Sequence, residues 1–253
     1  MNSIEVAFIP SDPEYWIMII GALLFGFLLN LIFDKTQESS KKKYLIVLGV
    51  VMIFIQCYMP ISQIIDPNYV FSYHRNLPLH FCSINFWLIA FNCFIRSRRL
   101  FVVTAYLGIS GGFHSFMTPL LTAGDSPIQI AHFIILHSGL IFIPIIMIRH
   151  YGMKFRRFDW IRAYGFDLII STIMIGINYY LNTCVDNPYP ADIANYMYVT
   201  EPPDVNHPLL PNLPWPFYMF PIHVVFIFHM LLINQIIRWI KKEKLNSWKE
   251  IFY

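Results

Sequence analysis

Long apolar runs separated by short polar ones set the pattern of this chain. Seven runs are long enough, or nearly so, to cross a bilayer: Tyr15–Phe33, Tyr44–Ile65, Pro78–Ile95, Leu100–Leu121, Ile128–Ile148, Ile161–Leu181 and Trp215–Ile237. About 20 apolar residues at a rise of 1.5 Å span a hydrocarbon core of roughly 30 Å. Lipid offers no partner to a free peptide group, so helices are the form expected there. The third run is the shortest, and the seventh starts in a proline-rich stretch. The expectation is an all-α fold: one polytopic domain over residues 1–253, a bundle of about seven transmembrane helices. Most connections are short, which makes consecutive helices antiparallel neighbours.

Composition agrees. The chain is 57% hydrophobic and only 13% charged, against about 25% charged in soluble domains. The few charges are also placed with a bias. Lys35, Lys41, Lys42 and Lys43 follow the first run, and Arg96, Arg98 and Arg99 follow the third. Arg149, Lys154, Arg156, Arg157 and Arg162 follow or border the fifth, and Arg238, Lys241, Lys242, Lys244 and Lys249 close the chain. With seven spans all of these share one face, and Arg75 is the basic residue left on the other. The positive-inside rule then predicts an extracytoplasmic N-terminus and a cytoplasmic C-terminus in a multi-pass protein of the cell membrane. The acidic residues Glu5, Asp12 and Glu14 argue against a cleavable signal, so the first run is expected to be retained. The net charge of +3 is accounted for by these loops and calls for no nucleic-acid partner.

One connection is long. Residues 182–214 carry no Lys or Arg and include Pro188, Pro190, Pro202, Pro203, Pro208 and Pro211. Such loops are either functional caps or disordered. Tyr189, Tyr196, Tyr198, Trp215, Phe217 and Tyr218 favour an extracytoplasmic cap at the membrane interface, with a simple interfacial anchor as the plainer alternative.

Polar side chains at bilayer depth are costly and mark function more often than elsewhere. His80, Cys82 and Asn85 open the third run, and His114 lies in the fourth, roughly 10 Å from its outer end. His132 and His137 lie in the fifth, Asn178 ends the sixth, and His223 enters the seventh. All fall in the outer half of the membrane, whereas the inner half is apolar apart from Asp167, His229 and a few hydroxyls. The asymmetry predicts a polar cavity facing the outer leaflet and lidded by the proline-rich loop. Ser110, His114 and Thr118 would line one face of the fourth helix, with Gly108, Gly111 and Gly112 allowing a close neighbour. The alternative for His132 and His223 is a plain interhelical hydrogen bond. Asp167 is expected to pair with Arg162 or to reach toward water. Cys184 has Cys57 and Cys82 as possible disulfide partners, between which spacing does not choose.

A reactive thiol needs a nearby base and donors for the oxyanion formed on attack. Cys82 has imidazole and amide close by in the stretch Leu77-Pro78-Leu79-His80-Phe81-Cys82-Ser83-Ile84-Asn85. His80 is two residues away and faces elsewhere on a regular helix, so the base is expected from another helix, with His137 the choice. His80 or Asn85 would hold the oxyanion. His114, Asn178, Tyr196 and His223 would shape a headgroup pocket.

Three stretches carry a resemblance: Leu77-Pro78-Leu79-His80-Phe81-Cys82; Phe133-Ile134-Ile135-Leu136-His137-Ser138-Gly139; and Asn195-Tyr196-Met197-Tyr198 followed by Pro214-Trp215-Pro216-Phe217-Tyr218. With the seven-span layout they make the whole chain similar to the bacterial YwaF-type integral membrane proteins. The eukaryotic relatives of that family are transmembrane acyltransferases implicated in remodelling ether phospholipids. The resemblance implies Cys82 as the acyl-accepting nucleophile and His137 as its base, with membrane phospholipid as substrate or bound ligand. No dinucleotide, phosphate-loop or metal-ligand motif is present, and no cofactor or metal is expected. Two other classes fit the same residues. One is a proton- or metal-coupled transporter or channel using the intramembrane histidines; the other is a non-catalytic lipid-binding protein.

Overall fold

The computed structural model describes residues 6–67, 69–122, 124–190, 192–202 and 213–240. The basic residues Lys241, Lys242, Lys244 and Lys249 lie outside them. The described chain forms helices α1 (Pro13–Lys35), α2 (Glu38–Ile65), α3 (Phe81–Ile95), α4 (Arg98–Met117), α5 (Pro127–His150), α6 (Asp159–Cys184) and α7 (Met219–Ile240). Six of the seven are long and apolar enough to cross a membrane; α3, with 15 residues, is shorter. Large apolar side chains cover the outside of the bundle, among them Ile20, Leu24 and Phe27 on α1 and Phe220, Val224 and Phe228 on α7. Apolar surface on that scale is incompatible with water and is what lipid requires. The protein is a multi-pass membrane protein.

Local chemistry explains where the helices start. Pro13 and Pro127 occupy first-turn positions, where a missing N–H costs nothing. Ser97 and Ser126 cap α4 and α5, accepting from the Leu100 and Gln129 amides. α3 ends at Arg96, whose φ of 54° turns the chain directly into α4.

Contacts at the two ends show the alternation. At one end Arg149 in the last turn of α5 meets Asp34 at the end of α1 (3.0 Å), and Tyr151 donates to the Lys41 carbonyl at the start of α2. Arg98 pairs there with Asp159, joining the starts of α4 and α6, and Asn234 of α7 donates to the Arg157 carbonyl. At the other end, here called the cap end, His74 reaches the Leu181 carbonyl of α6 at 2.9 Å.

Several expected boundaries change. The fourth run does not stay helical to Leu121: α4 stops at Met117, and Leu120–Leu121 forms strand β2, antiparallel to β1 (Val6–Ala7), with Val6 opposite Leu121. Pro119 ends the helix, because it lacks an N–H and disfavours the α region at Thr118, and the two leucines then pair with β1. The seventh helix begins at Met219 rather than Trp215, and α6 continues through Asn182 to Cys184, so the long connection runs over residues 185–218.

α4 and α5 are the most buried helices and pack closely. A Cβ at Gly112 would lie 2.9 Å from the His137 carbonyl oxygen and 2.7 Å from Ile141 Cγ1. At Gly108 it would meet the Leu140 carbonyl oxygen at 2.7 Å. Gly111 instead faces Phe81 and Cys82. Small residues allow such approach where no hydrophobic drive pulls helices together. Gly112→Leu is therefore expected to destabilise the detergent-solubilised protein by about 1–3 kcal/mol, the usual cost of overpacking. Gly176→Leu, with nothing within 4 Å of its Cβ position, should leave the melting temperature unchanged.

Candidate active site

In the 185–218 connection a 3₁₀ turn over Tyr196–Tyr198 packs against α6, and Ala194, Tyr196 and Val199 are buried. Asparagines hold it by donating and accepting at once. Asn178 Nδ2 donates to the Tyr196 carbonyl (3.0 Å) and to Thr200 Oγ1 (3.1 Å), while its Oδ1 accepts from the Tyr196 amide (3.1 Å). One turn on, Asn182 treats Ala194 in the same way. Asn195 Oδ1 accepts from the Thr200 and Glu201 amides. The aromatic residues close the remaining bonds: Tyr196 donates to the Tyr73 carbonyl, Tyr218 to the Tyr198 carbonyl, and Trp215 Nε1 to the Val199 carbonyl. Burial raises the Tyr196 phenol above its ordinary range and pushes Tyr218 up to about 12, so both stay protonated donors. Met197 and Tyr198 have φ of 60° and 54°. Two consecutive non-glycine residues in the left-handed region cost about 1–3 kcal/mol each and persist only where the surroundings enforce them.

What this segment encloses is a cavity of about 360 Å³, lined by α3, α4, α5, α6, α7 and residues 197–199. Its volume falls in the range of small-molecule sites, and its wall is mostly apolar. Cys82, His80, His114, His137 and His223 all line it. Five candidates taken from four separate runs thus meet at one void.

The remaining candidates are placed elsewhere. Asn85 faces α4, its Nδ2 donating to the Thr104 carbonyl at 3.1 Å. Asn178 and Tyr196 bond the buried segment and do not touch the cavity. His132 makes the interhelical bond, to the Ile55 carbonyl of α2 at 3.2 Å. Ser110 is packed away from the cavity, while Thr118, just past the end of α4, does line it. All four cysteines are free.

Asp167 departs from expectation. Arg162 lies 3.9 Å from Asp159 instead, and Asp167 is buried on the cavity wall, its Oδ2 3.9 Å from His223 Nδ1. The cavity therefore reaches to within eight residues of the start of α6 and is not confined to the half nearer the cap end. Ser171, one turn from Asp167, lines it too; their spacing of four on an apolar helix was the available signal.

Around the thiol the geometry is specific. Cys82 is the second residue of α3, and no side chain caps that helix. The first N–H groups of a helix lack intrahelical acceptors and carry a partial positive charge. Cys82 Sγ lies 3.6 Å from Ser115 Oγ, which in turn donates to the Gly111 carbonyl at 2.9 Å. Ser115 was not among the residues picked from sequence; only its place beside His114 pointed to it. His137 Nδ1 lies 2.9 Å from the Phe133 carbonyl oxygen and so donates to it. That bond leaves Nε2 with its lone pair, the form a general base requires. Among the described residues, no group of three or more His, Cys, Asp or Glu side chains is placed to hold a metal ion.

Fold and site together define a polytopic membrane protein with an apolar chamber that holds a thiol and several imidazoles. The model of the TMEM164 family matches residues 10–234. The chain belongs to the TMEM164 family. Searches of curated proteins and of solved structures return no match.

Proposed function

We propose that this protein is a membrane-embedded, thiol-dependent acyltransferase or lipid hydrolase acting on phospholipid acyl esters, with Cys82 as nucleophile and His137 as base. The observation that carries the reading is the shared cavity. A thiol in the first turn of an uncapped helix shares an apolar chamber with an imidazole whose Nδ1 is already committed. His137 Nε2 takes the thiol proton, the sulfur attacks the ester carbonyl, and the lysolipid leaves with that proton. The first amides of α3 and His80 stabilise the tetrahedral oxyanion. The acyl chain occupies the apolar chamber, and a second hydroxyl or water then takes the acyl group from sulfur. The charge bias of the loops supports a cap end, and hence substrate entry, at the outer leaflet. The likeness to membrane acyltransferases that remodel ether phospholipids supports the same assignment.

The test is release of lysolipid and fatty acyl product from defined phospholipid in proteoliposomes. His137→Phe keeps a ring in the Phe133 and Phe116 packing but has no basic nitrogen. It is expected to lose at least about 100-fold in turnover, the usual contribution of a positioned base, with expression retained. Turnover equal to wild type would remove His137 from the mechanism.

A proton-coupled transporter is the competing reading. It draws on Asp167 beside His223 and on His114 packed on His229, with ring centroids 4.8 Å apart. It requires substrate flux that depends on Asp167 or His114 and ignores Cys82.

A further inference from the structure

The bonds around the Cys82 sulfur have a direction. Ser115 Oγ lies 3.6 Å from Cys82 Sγ and 2.9 Å from the Gly111 carbonyl oxygen. A hydroxyl has one proton, and a carbonyl cannot donate. The Gly111 contact therefore takes the Ser115 proton, and in the Cys82 contact the thiol is the donor. At rest the bonds run one way, from the thiol to the Ser115 hydroxyl and on to the Gly111 carbonyl. The resting thiol holds its proton on the α4 side.

Local sequence makes this contact possible. Gly111 and Ser115 are four residues apart on α4 and so share a face. A Cβ at Gly111 would lie 2.9 Å from Phe81 Cε1 and 3.7 Å from Cys82 Sγ. The glycine thus lets the first turn of α3 settle against α4. Gly111, Ser115 and Cys82 all line the apolar cavity, and no Lys or Arg does so among the described residues. A thiolate formed there has no fixed cation beside it and depends on dipoles, those of the first α3 amides and of a hydroxyl. The hydroxyl can respond at little cost. Gly111 and Ser115 both lie inside α4, so the Gly111 carbonyl already accepts from the Ser115 amide. It stays bonded when the hydroxyl proton turns away.

We propose that Ser115 is a positioning residue acting through the reacting sulfur: its hydroxyl accepts from the thiol at rest and donates to the thiolate once the proton has left. The inference rests on the thiol reading and deepens it by one residue. The S–H bond breaks as His137 Nε2 takes the proton, and the electron pair stays on sulfur. The Ser115 hydroxyl then turns about its C–O bond, from the Gly111 carbonyl to Sγ. Attack on the ester carbonyl uses that electron pair to form the carbon–sulfur bond, and the hydroxyl returns to Gly111. It turns to sulfur again when acyl transfer breaks the carbon–sulfur bond and releases the thiolate. Ser115 keeps its own proton throughout, and no oxidant, reductant or further reactant is required.

The experiment compares Ser115→Val with Ser115→Thr in the full-length protein in detergent, because the two side chains share a shape and differ by the hydroxyl. N-ethylmaleimide is the probe. Its addition to Cys82 is timed at one fixed pH by peptide mass, which separates Cys82 from the other free cysteines. Ser115→Val is expected to react about three- to tenfold more slowly than wild type. Loss of one charge-assisted bond leaves about tenfold less thiolate, and the greater nucleophilicity of what remains offsets part of that. Ser115→Thr should react at close to the wild-type rate. Ser115→Ala, which adds no volume, should match Ser115→Val and keeps the comparison open if a branched side chain does not fold there. Wild-type alkylation in Ser115→Val or Ser115→Ala overturns the proposal. So does Ser115→Thr reacting as slowly as Ser115→Val, because shape and not the hydroxyl would then set the rate. These rates are read without phospholipid, so they leave the thiol reading to its own test. A wild type that forms no acyl adduct and releases no lysolipid overturns that reading, and the part of Ser115 in turnover falls with it.

Discussion

Cys82→Ser is expected to lower release of lysolipid from phospholipid by at least about a thousandfold while expression and melting temperature stay at wild type. The size follows from losing the nucleophile of a covalent mechanism, where removing one member of the catalytic unit costs about as much as removing all of them. Serine is nearly isosteric here, and its hydroxyl can keep the bond to Ser115 that the thiol makes at 3.6 Å, so stability has no reason to fall. What is lost is ionisability. A serine hydroxyl is far harder to deprotonate than a thiol, and His137 is a lone base with its Nδ1 bonded to a backbone carbonyl rather than to a carboxylate. No orienting acid raises its basicity as it would in a serine triad. Full activity in Cys82→Ser would remove the thiol from the mechanism and favour one of the non-thiol readings.

The second large effect is structural. Asn178→Leu is expected to destabilise the protein by about 2–4 kcal/mol and to abolish turnover although Asn178 does not touch the cavity. Its carboxamide makes three hydrogen bonds to the buried segment, two of them to the backbone of Tyr196. Each is worth about 1 kcal/mol net, and stranding the buried peptide groups of Tyr196 costs more than the bonds alone. Leucine keeps the branching and heavy-atom count of asparagine while removing its donor and its acceptor. Without that clamp fewer bonds offset the left-handed Met197 and Tyr198, and residues 197–199 are expected to leave the cavity wall they supply. Limited proteolysis within residues 185–202 should accelerate in the variant, and the melting temperature should fall. Unchanged proteolysis with full activity would mean that the segment holds its place without Asn178.

Much of the fold was legible because lipid imposes a simple rule: apolar runs of sufficient length become helices. The seven runs therefore correspond to seven helices, and even the short third one was visible as such. The ends were harder to read. Pro119 marks the end of α4, but nothing local says that Leu120 and Leu121 then pair with Val6 and Ala7 more than a hundred residues away. The long connection was visible as unusual, through its prolines and tyrosines, but the burial of residues 194–199 depends on asparagines on α6 paired with their backbone. Such bonds leave no periodic trace. The histidines and Cys82 stood out because polar groups at bilayer depth are rare, and five of them do reach one cavity. Asn85, Asn178 and Tyr196 stood out for the same reason, yet their bonds hold helices and loop in place. Depth along a helix is readable from sequence; direction around it is not, without the neighbours. Asp167 shows the same limit, since Arg162 is near it in sequence and His223 is near it in space.

The central claim is a thioester on Cys82, and intact-protein mass tests it most directly. Purified protein incubated with phospholipid is predicted to gain the mass of one acyl chain. Neutral hydroxylamine should remove it, and Cys82→Ser should never acquire it. An acyl adduct of equal extent in Cys82→Ser, or a wild type that releases lysolipid and fatty acid while a thiol-blocking reagent at Cys82 leaves the rate untouched, would contradict the claim.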